Sequence, residues 1–315
     1  AAPLDVQIVP GDIMLLGAPL FHIAATYLSF AQIAMGNLLV LEYIPDMKEV
    51  LELTDEERIT HWSWPTTVYM NLPNVPGFEN YDLTSLKVCA VWGALVPPAL
   101  LKMWKKISPG ITYLHGWGQT EVNAMGTMNI GKEFEKNPES VGKPMTGVEL
   151  KIFGPDDNEL PVGEVGEIVL RSKAVMTGYY KEKEKTSQTL RGGWHHTGDL
   201  GKYDEDGYLY FVDRLKDMIK TGGENVASAD VEATLFEHPK ILEVAVIGLP
   251  DDTWGEAITA YITLKPDAEA GEKEIITWAK QNMAAYKVPK KIIFMDDIPK
   301  NPSGKILKKE LRKQY

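Results

Sequence analysis

Cysteine is nearly absent from this chain, because Cys89 is the one cysteine among 315 residues. An intramolecular disulfide and a metal site built from several cysteines are therefore excluded, and a reducing compartment such as the cytosol is indicated. Long hydrophobic runs are lacking too, and none approaches the roughly 20 residues of a membrane-spanning helix. The first ten residues, AAPLDVQIVP, lack the basic start and apolar centre of a signal peptide. The sequence thus predicts a cytoplasmic protein without a membrane span.

An excess of positive charge is also missing. The chain has 33 Lys and Arg against 44 Asp and Glu, and its formal charge is −11. This balance argues against a general binder of nucleic acid or of anionic membranes. Hydrophobic residues make up 44% and charged residues 24%, which is typical of a globular protein with a well-filled core. At about 100–200 residues per domain, two or three domains are expected.

Strand-like and helical patterns alternate over residues 1–140. The strand-like runs are 12–16, 38–42, 59–62, 86–91 and 111–114. This alternation predicts an α/β fold, namely part of a doubly wound parallel sheet that is covered on both faces, with ligands at the carboxyl ends of its strands. That part would be an incomplete α/β subdomain of a larger domain.

The character of the chain changes near Val141. Residues 141–215 are rich in glycine and in alternating apolar runs, which predicts a small β subdomain. Residues 216–315 mix helical and strand-like segments, which predicts a compact C-terminal α+β domain of about 100 residues. Ser228 is expected to cap the first helix of that domain.

A polar loop at 204–207 separates two strand-like runs and predicts a β-hairpin. Pairing of Tyr203 with Tyr208 would bring Asp199 and Arg214 to one face as diagonal neighbours, about 7–8 Å apart. A carboxylate that accepts hydrogen bonds and a guanidinium that donates them could together hold the two hydroxyls of a sugar. A surface hairpin with an incidental salt bridge fits the same residues, and the hairpin alone does not decide between them.

The loop sequence GWGQTE follows the carboxyl end of a predicted strand. Gly116 and Gly118 would let the backbone lie close to a flat group, and Trp117 offers a face for stacking. Thr120 and Glu121 present a hydroxyl donor and a hard oxygen ligand, suited to phosphate and Mg²⁺. A glycine-rich turn with a core tryptophan is the alternative interpretation.

Two further loops lie nearer the carboxyl terminus. The glycine pair Gly222-Gly223 follows a charged connector, and its backbone can approach a ligand closely. The stretch PKNPSGK holds a turn with two prolines and one glycine, and it ends in Lys305. A loop lysine by itself is ordinarily only solvated.

Together and in this order, these stretches resemble the adenylate-forming superfamily, which holds acyl-CoA synthetases, nonribosomal-peptide adenylation domains and firefly luciferase. The resemblance covers essentially the whole chain. It is carried by GWGQTE at 116–121, TGD at 197–199, DRLKDMIKTGGEN at 213–225 and NPSGK at 301–305. It implies an ATP-dependent acyl-CoA synthetase that adenylates a carboxylic acid, fatty or related, and then forms a thioester with coenzyme A.

The resemblance also implies residues for the nucleotide. Asp199 and Arg214 would hold the ribose of ATP, Trp117 would stack on the adenine, and Gly93-Ala94 would line the adenine and acyl pocket. Trp92, just before that pair, would either shape the acyl pocket or belong to the core.

The remaining roles implied by the resemblance concern charge. Thr120 would contact the α-phosphate, Glu121 would ligate Mg²⁺, and Lys305 would bridge the carboxylate and the α-phosphate. The chemistry agrees, because a carboxylate that attacks a phosphate brings two anions together and needs positive charge there.

A second half-reaction with a thiol needs a different arrangement around the same carbonyl. By the same resemblance, Lys216 is the hinge of a mobile C-terminal domain, and Gly222-Gly223 help to form the tunnel for pantetheine. His22, in PLFH, matches the aromatic position that gates this tunnel, although a lone histidine is more often structural. Adjacent His195 and His196 point to opposite faces of a strand, so joint metal chelation is not expected.

The chain departs from the superfamily in one respect, because no Ser/Thr/Gly-rich phosphate loop precedes His22. The pattern from Gly126 to Glu133 has Walker spacing, but it puts glutamate at the Ser/Thr position and no clear strand leads into it. The chain is therefore expected to be a carboxyl-terminal part that works with a missing segment or a second subunit. Alone it should show little ATP–pyrophosphate exchange, and it should expose an apolar sheet edge and face.

Two other functions stay open. An adenylation domain that loads a carrier protein would share all these motifs, although KDMIKTGGENV looks most like acyl-CoA ligases and no aspartate follows His22 to hold an amine. A catalytically inactive binding fragment is the second alternative. Acyl chain length and oligomeric state do not follow from the sequence.

Overall fold

The computed structural model describes residues 7–42, 46–92, 96, 98–301 and 305–313. Two compact units make up the chain: Ala1–Thr197 with Lys202–Phe211, and Gly198–Gly201 with Val212–Tyr315. The second unit therefore takes up the chain at Val212, close to the boundary predicted at Lys216. The division into three domains at 141 and 216 stays a prediction. None of the helices in the described ranges is both long and apolar enough to cross a bilayer.

Seven strands form the sheet of the first unit. They are Ile13–Leu16 (β1), Leu38–Leu41 (β2), His61–Pro65 (β3), Val88–Trp92 (β4), Thr112–His115 (β5), Thr127–Ile130 (β6) and Lys143–Pro144 (β7), in the order β2-β1-β3-β4-β5-β6-β7. The first five pair in parallel, as predicted. β6 and β7 add antiparallel pairs that the sequence did not predict, because both are short and half polar.

Helices pack on both faces of this sheet. The helices of the first unit are Ile23–Ala34 (α1), Met47–Glu56 (α2), Thr66–Asn71 (α3), Pro98–Ile107 (α4), Lys132–Lys136 (α5) and Lys183–Thr189 (α6). Successive residues of β1 point to opposite faces. Leu15 joins one core with α2 and α4, whereas Met14 and Leu16 join another with α1. The α/β class with a sheet covered on both faces is thus confirmed.

An apolar surface is exposed at the β2 edge of the sheet, as predicted. Helix α1 has no charged residue, and its Phe30 and Ile33 are 68% and 61% exposed. On β2, which ends the strand order, Leu38 and Leu41 are 52% and 58% exposed. A helix that is apolar on both faces is typical of a buried position. This surface therefore favours contact with further polypeptide.

A four-stranded sheet contains the predicted hairpin. Its strands are Val148–Phe153 (β8), Gly166–Ser172 (β9), His195–Tyr203 (β10) and Leu209–Arg214 (β11), in the order β11-β10-β9-β8. β10 begins at His195 and therefore includes the HHTGD stretch. Glycine and aspartate in HHTGD disfavour a strand locally, but the buried side chains of His195 and His196 outweigh that preference.

The carboxyl-terminal part is an α+β layer. Its strands are Ile219–Thr221 (β12), Glu224–Val226 (β13), Ile241–Asp251 (β14), Gly255–Leu264 (β15) and Lys291–Phe294 (β16), and its helices are Ser228–Phe236 (α7), Glu272–Asn282 (α8) and Lys308–Arg312 (α9). The strand order is β13-β12-β15-β14, with β16 parallel to β15. α7 and α8 share one core with the sheet, and Leu311 of α9 belongs to another.

The prediction that Ser228 caps α7 is wrong. Ala227 occupies the N-cap position and makes no side-chain cap bond. Asp213 takes this part instead, because its Oδ2 accepts from the backbone N–H of Ser228 and of Ala229. A carboxylate from a distant strand end thus satisfies free donors at the start of the helix.

Candidate active site

Asp199 and Arg214 lie on neighbouring strands, in β10 and at the end of β11. The Arg214 Nε atom is 3.4 Å from Asp199 Oδ1, so the predicted proximity of the two side chains is confirmed. The Asp199 side chain is only 5% exposed, whereas that of Arg214 is 34% exposed. A buried carboxylate is thereby held against a guanidinium that still reaches solvent, which suits a pair of ligand hydroxyls.

Lys305 adds a third charge near this pair. Loss of solvation, followed by repulsion from Arg214, lowers the pKa of Lys305, while Asp199 acts in the opposite direction. The loop that carries Lys305 is closed on itself: Asn301 N donates to Lys305 O at 2.9 Å, and Lys305 N donates to Asn301 Oδ1 at 2.9 Å. Part of the residue stays accessible to solvent, although its amine is partly desolvated.

The connector at Lys216 is a tight turn. Asp217 N and Met218 N both donate to Arg214 O, at 2.9 and 3.1 Å. Arg312 of α9 donates from Nη2 to Asp217 Oδ1 at 2.8 Å. Lys216 itself is exposed. Its role as a hinge stays a prediction.

Gly222 and Gly223 form the two-residue loop between β12 and β13. Their φ angles of +59° and +86° define a turn that requires φ > 0 at both positions, which glycine adopts without strain. Gly222 N donates to Trp254 O at 2.8 Å, and a Cβ atom on Gly222 would lie 3.0 Å from the Trp254 ring. The loop thus presents bare backbone beside a half-exposed indole.

The glycines of GWGQTE serve packing within the protein. A Cβ atom on Gly118 would lie 1.8 Å from Ala124 O, and one on Gly116 would lie 2.6 Å from Thr127 O. Close approach of backbone is therefore needed here, but the observed partner is the following strand rather than a ligand. Trp117 is 7% exposed and packs in a core cluster with Val122, which favours the core interpretation of this residue. Stacking of Trp117 on adenine stays a prediction.

Gln119 joins two of the predicted motifs, although no role is predicted for it above. Its Nε2 donates to Thr197 O at 3.0 Å, and its Oε1 lies 3.0 Å from His195 Nε2. Thr197 in turn donates from Oγ1 to Ile168 O at 2.6 Å. GQTE is thereby fixed to HHTG through side-chain contacts. The one available signal was the position of a glutamine inside a matched motif.

Glu121 is held by a tyrosine that the sequence analysis also missed. Tyr179 donates from its hydroxyl to Glu121 Oε1 at 2.8 Å. Loss of solvation and this bond raise the pKa of Tyr179 to about 12. Neighbouring Thr120 is exposed in a short 3-10 turn, Thr120–Val122. Within the described ranges, no group of three or more metal-ligating side chains occurs. One carboxylate at an exposed turn fits Mg²⁺ only if substrate phosphates supply the other ligands.

His22 and Trp92 lie together. The His22 ring stacks on Trp92 with centroids 6.0 Å apart and an interplanar angle of 14°. His22 Nδ1 also accepts from Ala24 N at 3.3 Å, so this side chain caps α1. Trp92 donates from Nε1 to Ser63 Oγ at 3.1 Å. Gly93 and Ala94 lie outside the described residues.

The adjacent histidines His195 and His196 have separate partners. His195 contacts Gln119, whereas His196 Nδ1 lies 2.8 Å from Glu167 Oε2. The Walker-like pattern is not a phosphate loop either. No strand leads into Gly126, as expected, because β6 (Thr127–Ile130) lies inside the pattern. The following helix has five residues, and Glu133 accepts from the Tyr208 hydroxyl.

Two family models match this chain. The model described as AMP-binding enzyme matches residues 2–180, and the model described as AMP-binding enzyme C-terminal domain matches residues 230–305. The first alone covers more than half of the 315 residues. The chain belongs to the AMP-binding enzyme family. The predicted membership of the adenylate-forming superfamily is thereby confirmed.

Several named proteins resemble this AMP-binding enzyme in sequence. It is 35% identical over 314 residues to feruloyl-CoA synthase of Amycolatopsis sp, covering 99% of this chain and 63% of the relative. It is 36% identical over 315 residues to the long-chain-fatty-acid–CoA ligase FadD13 of Mycobacterium tuberculosis, covering 100% of this chain and 61% of the relative. The chain thus spans less than two thirds of the length of these relatives.

Solved structures show the same fold. The amide bond synthetase McbA from Marinactinospora thermotolerans superposes with a TM-score of 0.88 at 30% identity, covering 99% of this chain and 63% of the other. The o-succinylbenzoate CoA synthetase MenE of Bacillus subtilis, in complex with its acyl-adenylate intermediate, gives the same TM-score, identity and coverage. The relatives of this chain by sequence are acid–CoA ligases, and its structural relatives include an amide bond synthetase.

Proposed function

We propose that this AMP-binding enzyme supplies part of the active site of an ATP-dependent acyl-CoA synthetase for a fatty or related carboxylic acid. The observation that carries the proposal is the pair formed by buried Asp199 and partly exposed Arg214, whose Oδ1 and Nε atoms lie 3.4 Å apart. The names of the relatives, feruloyl-CoA synthase and long-chain-fatty-acid–CoA ligase, support the same reaction class. Its cytoplasmic setting is proposed from the single, free and buried Cys89.

In this proposal the ribose of ATP binds across the two strands. Asp199 accepts from the sugar hydroxyls, and Arg214, whose guanidinium reaches solvent, donates to them. The Lys305 ammonium lies against the α-phosphate and the attacking carboxylate. Its positive charge offsets the repulsion between these two anions, and this stabilisation grows as charge moves onto the bridging oxygen.

Thr120 and Glu121 face the phosphates in the proposed complex. Thr120 would donate to the α-phosphate, and Glu121, fixed by Tyr179, would hold Mg²⁺ together with phosphate oxygens. When bound, that ion neutralises phosphate charge. Glu121 and Thr120 fit this ion and its phosphates as one carboxylate ligand and one hydroxyl donor.

Transfer of the acyl group to coenzyme A uses the other loop. The exposed Gly222-Gly223 backbone would border the pantetheine chain, after a rotation about Lys216 has moved Lys305 away. His22, stacked on Trp92, lies at the position proposed to gate this path. Gly93 and Ala94, with Gly116, Trp117 and Gly118, complete the proposed nucleotide and acyl pocket.

Titration calorimetry with AMP tests the nucleotide part of this proposal. Arg214→Met should weaken AMP binding about tenfold or more, since a hydrogen bond to a charged group contributes about 1.5–3 kcal/mol. Arg58→Met is the matched control, because Arg58 is also paired with an aspartate, Asp82, and is exposed. Equal affinity of the Arg214→Met variant and the parent chain would reject the ribose site.

Turnover tests the reaction itself. The chain alone should give little ATP–pyrophosphate exchange, and robust exchange would reject the expectation that it lacks a grip on the β,γ-phosphates. With the complementary polypeptide of a relative added, exchange should rise with a fatty or aromatic acid. Assays with coenzyme A, a carrier protein or a free amine then show which acceptor receives the acyl group. The amine is included because McbA is an amide bond synthetase. If nothing binds or turns over in any combination, the inactive-fragment alternative holds.

A further inference from the structure

Four polar side chains form a cluster where α7 and α9 meet the end of β11. Lys308 donates from Nζ to Ser228 Oγ at 2.7 Å and lies 2.8 Å from Glu232 Oε1. Ser228 donates from Oγ to Asp213 Oδ2 at 2.8 Å. We call Asp213, Ser228, Glu232 and Lys308 the Lys308 cluster.

The Lys308 cluster is largely removed from solvent. Asp213 and Ser228 are 3% and 0% exposed, and the side chains of Lys308 and Glu232 are 17% and 23% exposed. Glu232 Oε1 accepts a further bond from Val246 N at 2.7 Å. Burial raises the pKa of Glu232, and the charge of Lys308 opposes that shift. Loss of either partner would leave the other charge without compensation, so the pair holds a defined geometry.

One end of the Lys308 cluster sets the backbone at Arg214. Asp213 Oδ1 accepts from Arg214 N at 2.7 Å, while Oδ2 accepts from Ser228. The same carboxylate therefore contacts the residue that forms the pair with Asp199 and the first turn of α7. Lys216 lies between Asp213 and Ser228 in sequence, so the cluster bridges the connector.

The other end of the Lys308 cluster holds the loop of Lys305. α9 begins at Lys308, three residues after Lys305. Leu307 N donates to Pro299 O at 2.8 Å, and Asn301 N donates to Lys305 O at 2.9 Å. These bonds join residues 299–301 to residues 305–307, so the position of Lys305 follows that of Lys308.

We propose that Lys308 is a positioning residue, which fixes Lys305 against the Asp199–Arg214 pair by docking the start of α9 on Ser228 and Glu232. The purpose of this arrangement, which is to present Lys305 during adenylation, rests on the proposed function. Its geometry can be tested without nucleotide. Breaking the Lys308–Glu232 pair lets the Lys305 loop move away from Arg214.

Competitive acetylation of lysines, read by peptide mass spectrometry from pH 7 to 11, measures the pKa of the Lys305 amine in the full chain. The charged groups that act on this amine are Arg214, Lys216, Asp199 and Asp217. In Lys308→Met the pKa of Lys305 should rise toward the ordinary value of about 10.4. Acetylation of Lys305 at pH 8 should then be measurably slower than in the parent chain, since a smaller fraction of the amine is neutral.

Three further variants separate positioning from charge and from folding. Lys309→Met removes the same charge one residue further on, at an exposed position, and should leave the pKa of Lys305 unchanged. In Lys308→Arg, which keeps the positive charge, the pKa of Lys305 should equal that in the parent chain. Glu232→Gln removes a negative charge, which by electrostatics alone would lower the pKa of Lys305, whereas loss of positioning raises it.

The proposal is overturned if Lys308→Met and Glu232→Gln leave the pKa of Lys305 unchanged, even where urea unfolding shows lower stability. It is also overturned if Lys309→Met has the same effect as Lys308→Met. Should Lys308→Met fail to fold, Glu232→Gln and Lys308→Arg carry the test. Because no ATP enters this measurement, its failure is distinct from a failure of AMP binding, which would reject the proposed function.

Discussion

Gly118 gives the sharpest test of how the GWGQTE loop is built. A Cβ atom there would lie 1.8 Å from Ala124 O and 2.6 Å from Met125 Cα. Both are backbone atoms, so no change of side-chain rotamer relieves the overlap. Gly118→Ala must therefore move the turn that carries Thr120 and Glu121 away from the start of β6.

The expected cost follows from overpacking. Extra methyl groups in tightly packed sites destabilise by about 1–3 kcal/mol, and a backbone overlap belongs at or above the top of that range. We expect Gly118→Ala to lower the free energy of unfolding by about 3 kcal/mol or more. The matched control is Gly110→Ala, because Gly110 has no atom within 4 Å of its added Cβ. That change should stay within about 0.5 kcal/mol of the parent chain, as surface substitutions usually do.

Urea unfolding without any nucleotide, followed by near-UV circular dichroism, measures both changes. A large loss for Gly118→Ala in the absence of ligand shows that protein packing requires this glycine. The reasoning is refuted if Gly118→Ala unfolds like the Gly110→Ala control but binds AMP more weakly. The glycine would then serve close approach of a ligand, as its sequence pattern first indicated.

Three other changes have defined outcomes. His115 is buried, and loss of solvation lowers its pKa, so the unfolded chain binds more protons than the folded chain below pH 6.5. His115 should therefore contribute up to about 1.4 kcal/mol of stability loss per pH unit there, and His115→Gln should reduce the slope in urea titrations from pH 7 to 5. Tyr179→Phe removes the donor to Glu121 and should cost about 0.5–1.5 kcal/mol by thermal unfolding. Phe30→Ser combined with Leu38→Lys should reduce self-association in sedimentation velocity, since both residues are exposed on the apolar surface.

Local signals in the sequence predicted elements whose limits are set locally. α1 runs from Ile23 to Ala34, because the His22 side chain caps its start and Gly36 follows its end. The β10–β11 hairpin and its Asp199–Arg214 pair likewise follow from period-2 alternation across a short loop.

Contacts between distant residues were not predictable in this way. Gln119 meets His195 and Thr197 at separations of 76 and 78 residues, and no periodicity encodes such a pairing. The cap of α7 comes from Asp213 rather than from Ser228, because the buried carboxylate at the end of β11 accepts from the free N–H groups of the helix. The sequence pattern indicates close approach at Gly118, but it does not indicate that the partner is the backbone at Ala124.

The Lys308 cluster also bears on how one lysine could serve only one of two half-reactions. Asp213 precedes Lys216, whereas Ser228 and Lys308 follow it, so rotation about the connector cannot preserve both sets of bonds to Asp213. The arrangement that places Lys305 near Arg214 is therefore the one that the buried carboxylate stabilises. If Lys216 is the hinge, as proposed, rotation must break the Ser228–Asp213 bond before the Gly222 loop can take the place of Lys305. Under the proposed function, a network that favours adenylation would then also resist the change to thioester formation, and weakening it should slow the first step more than the second.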